Sequence, residues 1–131
     1  MPTSKYVRYE RGQLNTVNYR VYLKNSETNE FVSPFHDVPL LANKEAQIYN
    51  AVIEIPRWSN AKMEVNKKEK LNPIAQDIKN NKLRFVNNCN NYHGYIWNYG
   101  ALPQVYLFIY IFNYQEYDKS RLHSLNVLKC P

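Results

Sequence analysis

Ile48-Tyr-Asn-Ala-Val-Ile-Glu-Ile55, Pro56-Arg-Trp-Ser-Asn60 and Ala61-Lys-Met-Glu-Val65 form the stretch that decides the fold. Residues 48–55 are rich in β-branched and aromatic types and end at a proline, which predicts a strand. In residues 61–65, Ala61, Met63 and Val65 fall on one face while Lys62 and Glu64 fall on the other, the period of two that marks a strand with one buried face. The five-residue link 56–60 predicts a hairpin between the two. That pairing would bring Glu54 toward the Lys62/Glu64 face.

Outward from this centre the same period recurs. Residues 16–24 alternate Val17, Tyr19, Val21 and Leu23 against Asn18, Arg20 and Lys24, a half-buried strand. Residues 25–30 are a turn cluster, and residues 34–39 are irregular and extended between two prolines. Residues 66–81 read as a lysine-rich turn region broken at Asn72-Pro73. Residues 82–86 are a fourth strand, with Leu83 and Phe85 on one face and Arg84 on the other. Residues 92–100 are an aromatic, glycine-bracketed segment that places Tyr99 in a loop, and residues 1–14 read as polar and frayed. Short strands, many turns and little helix predict a mainly β fold, a small barrel or sandwich.

Composition narrows the function classes. A chain of 131 residues fits one domain with a modest core. Its formal charge of +6 invites a polyanionic partner such as phosphate or nucleic acid. Two cysteines, far apart and outside any CxxC pair, argue against a disulfide framework or a structural zinc site. No secretory apolar region follows Met1. The longest apolar run, residues 105–112, has eight residues where a membrane-spanning helix needs about 20. The expectation is a cytoplasmic protein with no membrane association.

The polar strand faces offer Glu54, Lys62, Glu64 and Arg84, with Tyr99 nearby in sequence order. A planar guanidinium fork and a compact ammonium suit phosphate oxygens, a tyrosine hydroxyl can donate to the same anion, and glutamate can hold a hard cation. On pattern alone the same residues are the solvated face of a strand.

Five blocks are more specific. Ser33-Pro-Phe-His-Asp-Val-Pro39, Glu54-Ile-Pro-Arg-Trp-Ser-Asn-Ala-Lys-Met-Glu64, Leu71-Asn-Pro-Ile74, Lys82-Leu-Arg-Phe-Val86 and Gly94-Tyr-Ile-Trp-Asn-Tyr-Gly-Ala-Leu-Pro-Gln104 stand in one order. Over residues 18–104 they resemble family I, eukaryotic-type soluble inorganic pyrophosphatases. The resemblance implies an OB-like five-stranded barrel, incomplete in this chain, and magnesium-dependent hydrolysis of pyrophosphate to two phosphates. It implies that Lys62, Arg84 and Tyr99 grip phosphoryl oxygens and that Glu54 supports the catalytic site. It gives Glu64 a part in holding magnesium (Mg2+), and places Arg57, Trp58 and His93 at a homodimer contact.

After Gln104 the family continues with a Thr-Trp-Glu-Asp-Pro-like stretch and an Asp-x-Asp-Pro-x-Asp motif, whose aspartates are the main magnesium ligands. Here residues 105–131 carry only Glu116 and Asp118 as acids. The expectation is a pyrophosphatase-domain part over 1–104 and a non-family tail over 105–131, which comes from intron read-through or a wrong gene model. Metal binding would be impaired and activity weak or absent. The alternatives are a phosphate- or nucleic-acid-binding OB-like module without catalysis, and an interaction protein that pairs with a full-length subunit. The blocks match pyrophosphatases rather than a nucleic-acid module.

Overall fold

The computed structural model describes residues 5–104 in full and the backbone of residues 108–111 and 125–129. The chain order is β1 (Tyr6–Arg11), β2 (Arg20–Asn25), β3 (Phe31–Val32), β4 (Leu41–Asn43), β5 (Ile48–Ile55), β6 (Met63–Val65), β7 (Ile74–Gln76), β8 (Ile78–Lys79), β9 (Lys82–Leu83), β10 (Asn98–Ala101), β11 (Phe108–Ile111) and β12 (Leu125–Lys129). Among the described residues the regular structure is all β, without helix, as the alternating pattern predicts.

One sheet runs β1-β2-β7-β6 with β3 on β2, the other β11-β10-β5-β12 with β4 on β5, and β8-β9 is a separate hairpin. No closed barrel forms among the described residues. The first sheet's inner face carries Val21, Leu23, Met63, Val65 and Ile74, which pack with Val38 and with Val52 from β5. Ala51 and Ile53 bury the opposite face of β5 against Leu102. Residues 50–55 are therefore buried on both faces, and their near-continuous apolar run follows from that. Each such fully buried Ile or Val stabilises the fold by about 1.5–3 kcal/mol.

Several expectations are corrected. β5 and β6 do not form a hairpin: β6 pairs with β7 in one sheet, and β5 pairs with β10 in the other. The link 56–60 turns at Trp58, whose φ of 69° is left-handed, and the chain crosses here from the second sheet to the first. Residues 6–11 are a strand, held by a six-residue antiparallel ladder to β2 although only Tyr6 is buried. Strand β2 begins at Arg20, and Val17, expected on the inner face, is exposed. The lysine-rich region contains β7, whose three residues are all buried and so show no alternation. Residues 82–86 reduce to the two-residue β9, with Phe85 exposed.

Tyr99 lies on strand β10, not in a loop, and β10 pairs with both β5 and β11. Gly100 makes that pairing possible, because a Cβ there would lie 2.0 Å from the Val52 carbonyl oxygen. Gly100→Ala is expected to push β10 from β5 and cost about 1–3 kcal/mol, the range of core overpacking. A urea denaturation midpoint unchanged from wild type would contradict this.

Candidate functional site

Three chain segments meet at the open end of the first sheet. Lys62 donates its N–H to the Arg84 carbonyl at 3.1 Å, Arg84 donates to the Asp77 carbonyl at 2.8 Å, and Asp77 donates to the Lys62 carbonyl at 2.8 Å. These bonds close a ring through three charged residues. The ring fixes their main chains before any side chain acts. It lies where strand pairing stops: β6 starts at Met63 and β7 ends at Gln76.

The side chains converge on the same point. Asp77 Oδ2 accepts from Lys62 Nζ at 3.2 Å and from Arg84 Nη1 at 2.5 Å. Lys62 Nζ also contacts Glu64 Oε1. Burial alone would push the Asp77 carboxyl up. Hydrogen bonds from Lys62 and Arg84, with their charges, outweigh this and hold it below the ordinary carboxylate range. At neutral pH two cations thus face two carboxylates. Alongside lies an open cavity of about 540 Å³, lined in part by Arg20, Glu64, Lys67, Lys68, Gln76 and Asp77.

Glu54 enters from the other sheet. It is 2 % exposed, and its Oε1 accepts the Val65 N–H at 2.7 Å while Oε2 has no hydrogen-bond partner among the described residues. Burial pushes its carboxyl up, against the opposing influence of the Val65 N–H and of the charges on Lys62 and Lys67.

A second cluster forms around the 56–60 turn. Arg57 lies over the Trp58 ring at 5.6 Å, Trp58 packs on Tyr92 with ring centroids 4.6 Å apart, and His93 Nδ1 is 3.2 Å from the Trp58 carbonyl oxygen. The turn is tied to β10, since the Arg57 N–H donates to Asn98 Oδ1 at 2.9 Å. Trp58 and Tyr92 nevertheless stay exposed. Gly94 lets the two loops touch, for a Cβ there would lie 1.9 Å from the Ser59 carbonyl oxygen.

The inorganic pyrophosphatase family model matches residues 51–119, the stretch that contains Glu54, Lys62, Glu64, Asp77 and Arg84. The chain belongs to the inorganic pyrophosphatase family. It is 53 % identical over 103 residues to the inorganic pyrophosphatase of Candida albicans, covering 79 % of this chain and 35 % of the relative. It is 56 % identical over 97 residues to that of Bos taurus, covering 74 % and 32 %. Its fold superposes on the inorganic pyrophosphatase of Schistosoma japonicum with a TM-score of 0.68 and 51 % identity, covering 75 % of this chain and 34 % of that one. A Trypanosoma cruzi vacuolar soluble pyrophosphatase, solved in complex with PPi, gives 0.62 and 41 %, covering 78 % and 42 %. The chain spans about a third of the length of the curated relatives it matches.

Of the residues singled out by sequence, this pyrophosphatase-family chain brings Lys62, Glu64 and Arg84 into one cluster, with Glu54 reaching Val65 beside it. Tyr99 stands on β10 opposite Ile55, with its ring 6.2 Å from the Tyr95 ring. Arg57, Trp58 and His93 gather in the second cluster. Asp77 was missed by sequence reasoning, although an acid just beyond an apolar Ile-Ala step in a basic stretch was the available signal.

Magnesium takes oxygen ligands in near-octahedral geometry. The described residues hold no cluster of three or more His, Cys, Asp or Glu able to seat a metal. Both carboxylates of the cluster are engaged by Lys62 or Arg84. The described residues therefore do not fit a magnesium cage by themselves.

Glu54 gives a pH test. Its folded-state pKa is raised, so its contribution to stability is fully present below the unfolded value of about 4.3 and is lost as pH rises through the folded one. Glu54→Gln keeps an oxygen for the Val65 N–H and carries no charge. Urea midpoints compared across pH should show wild type falling relative to the variant as pH rises through the weakly acidic range. A pH-independent difference would contradict the assignment.

Proposed function

We propose that the chain binds pyrophosphate as the phosphate-gripping part of a magnesium-dependent inorganic diphosphatase, with weak or no hydrolysis by these 131 residues alone. The observation that carries this reading is the convergence of Lys62 and Arg84 on one carboxylate oxygen of Asp77. Two cations of different geometry directed at one oxygen can equally grip a phosphoryl oxygen. The family and the relative solved with PPi support pyrophosphate as the anion.

The residues divide the work. Lys62 and Arg84 take the phosphoryl oxygens and offset charge on the leaving phosphate. Tyr99 donates to a further oxygen. Glu64, beside Lys62, is the carboxylate placed to help hold a cation that arrives with the ligand. Glu54 accepts the Val65 N–H across the sheets and fixes Val65, and through it the start of the turn after β6. Hydrolysis also needs a nucleophile generated near neutral pH, which a metal-bound water supplies. The cluster itself gives no such group, because lysine and arginine neutralise charge without making hydroxide. With two cations already facing two carboxylates, the cluster has little positive charge to spare. Pyrophosphate carrying its own cations suits it better than the bare anion.

In the same reading, residues 1–104 form the pyrophosphatase part and residues 105–131 a tail with a different origin. The Arg57, Trp58 and His93 cluster forms a contact with a second copy or with a full-length subunit. In the same reading the protein is cytoplasmic. No helix among the described residues is long and apolar enough to cross a membrane.

Isothermal calorimetry with magnesium pyrophosphate is expected to detect binding that Lys62→Ala and Arg84→Ala each weaken about tenfold or more, the cost of a lost charge-assisted pair. Phosphate release should stay near background. Vigorous turnover would refute weak hydrolysis, and undiminished binding by both variants would refute the grip. In sedimentation, Trp58→Ala should weaken any self-association of the chain, and unchanged association would remove Trp58 from the contact.

A further inference from the structure

We infer that Gln76 is a positioning residue for Arg84, its side-chain amide holding the arginine's main chain so that the guanidinium meets a phosphoryl oxygen. The inference rests on the reading that Arg84 grips pyrophosphate, but its geometry stands separately. Gln76 ends β7 and is 7 % exposed. Its Nε2 donates to the Arg84 carbonyl oxygen at 2.7 Å. That oxygen also accepts the Lys62 N–H at 3.1 Å, so both of its lone pairs are used.

Arg84 lies just past β9, outside any strand, so no ladder fixes it. Its main chain is held instead by Lys62 and by two consecutive residues, Gln76 and Asp77. Gln76 takes the carbonyl, while Asp77 takes the N–H through its own carbonyl and the guanidinium through its carboxylate. Arg84 has a long, rotamer-rich side chain, and ordering it on the ligand is costly. A main chain fixed in advance removes part of that cost. A hydrogen-bond donor is required at this position. A carboxylate in its place would set two acceptors against each other, and an apolar side chain would leave the carbonyl with one partner fewer.

The donor requirement can be tested with Gln76→Glu and Gln76→Met. The readouts are the Arg84 Nε–Hε resonance in 15N-labelled chain and pyrophosphate affinity, each relative to wild type. Near neutral pH, Gln76→Glu should shift the resonance and weaken binding about tenfold. In mildly acidic buffer both should return toward wild type, because the introduced carboxyl, raised by burial, then carries a proton and donates again. Gln76→Met should show the neutral-pH defect and no recovery. Arg20, Glu64, Lys67, Lys68 and Asp77 share the cavity with Gln76, and Lys62 and Arg84 adjoin it. They are common to all three proteins, so the ratio to wild type isolates the substitution, and Asp77, held below the ordinary carboxylate range, stays ionised in mildly acidic buffer. An unshifted Arg84 resonance in both variants, or a shift in Gln76→Glu that acid does not reverse, would overturn the inference. Acid-reversible shifts in a chain that binds no pyrophosphate would support the positioning role and overturn the substrate reading.

Discussion

The site depends on three main-chain hydrogen bonds that close on one another among Lys62, Asp77 and Arg84. Each residue gives its N–H to one neighbour and its carbonyl to the other. The charged side chains therefore start from fixed origins at the point where strands β6 and β7 part. A site made of long, flexible cations on free loops would pay for ordering at every encounter. Here the backbone has already paid part of it. The shared Asp77 carboxylate then keeps two like charges close that would otherwise repel.

The second constraint joins the sheets. Glu54, on the central strand of one sheet, accepts the Val65 N–H of the other through a buried carboxylate. A buried acid is normally costly, and its raised pKa is the sign of that cost. The return is a polar bond inside an apolar interface, which fixes how one sheet sits over the other where Val52, Met63 and Val65 pack together. The site and the core are thus linked through one side chain.

Sequence alone made the β class readable, because residues 20–25, 48–55 and 63–65 carry clear periodic or apolar runs. It also marked Lys62, Glu64, Arg84 and Glu54, whose blocks resemble one family, and the structure brings the first three into one cluster with Glu54 reaching Val65 beside it. Other features were hidden for physical reasons. β1 exposes Val7 and Tyr9 and is held by backbone pairing, so its apolar residues face the wrong way for a core reading. β7 is buried on both faces for three residues and shows no period. The supposed hairpin failed because the left-handed turn at Trp58 carries the chain between sheets, and one sequence does not disclose the sign of φ. Asp77 becomes significant only when Lys62 and Arg84, 22 positions apart in numbering, meet on it.

The order of strands in the second sheet also bears on how the chain reaches its native state. β1, β2 and β3 pair with near neighbours in sequence, so their contacts close short loops. β5 is flanked by β10 and β12, which come about 45 and about 75 residues later, and closing such loops costs entropy before any contact offsets it. Nonlocal pairing of this kind slows folding. During synthesis the first sheet's hairpin can assemble on emergence, while β5, paired early only with β4 at Ile48 and Tyr49, waits with most of its edges open until the later strands have been made. The strand with the most burial in the finished protein is therefore the one longest exposed on the way there.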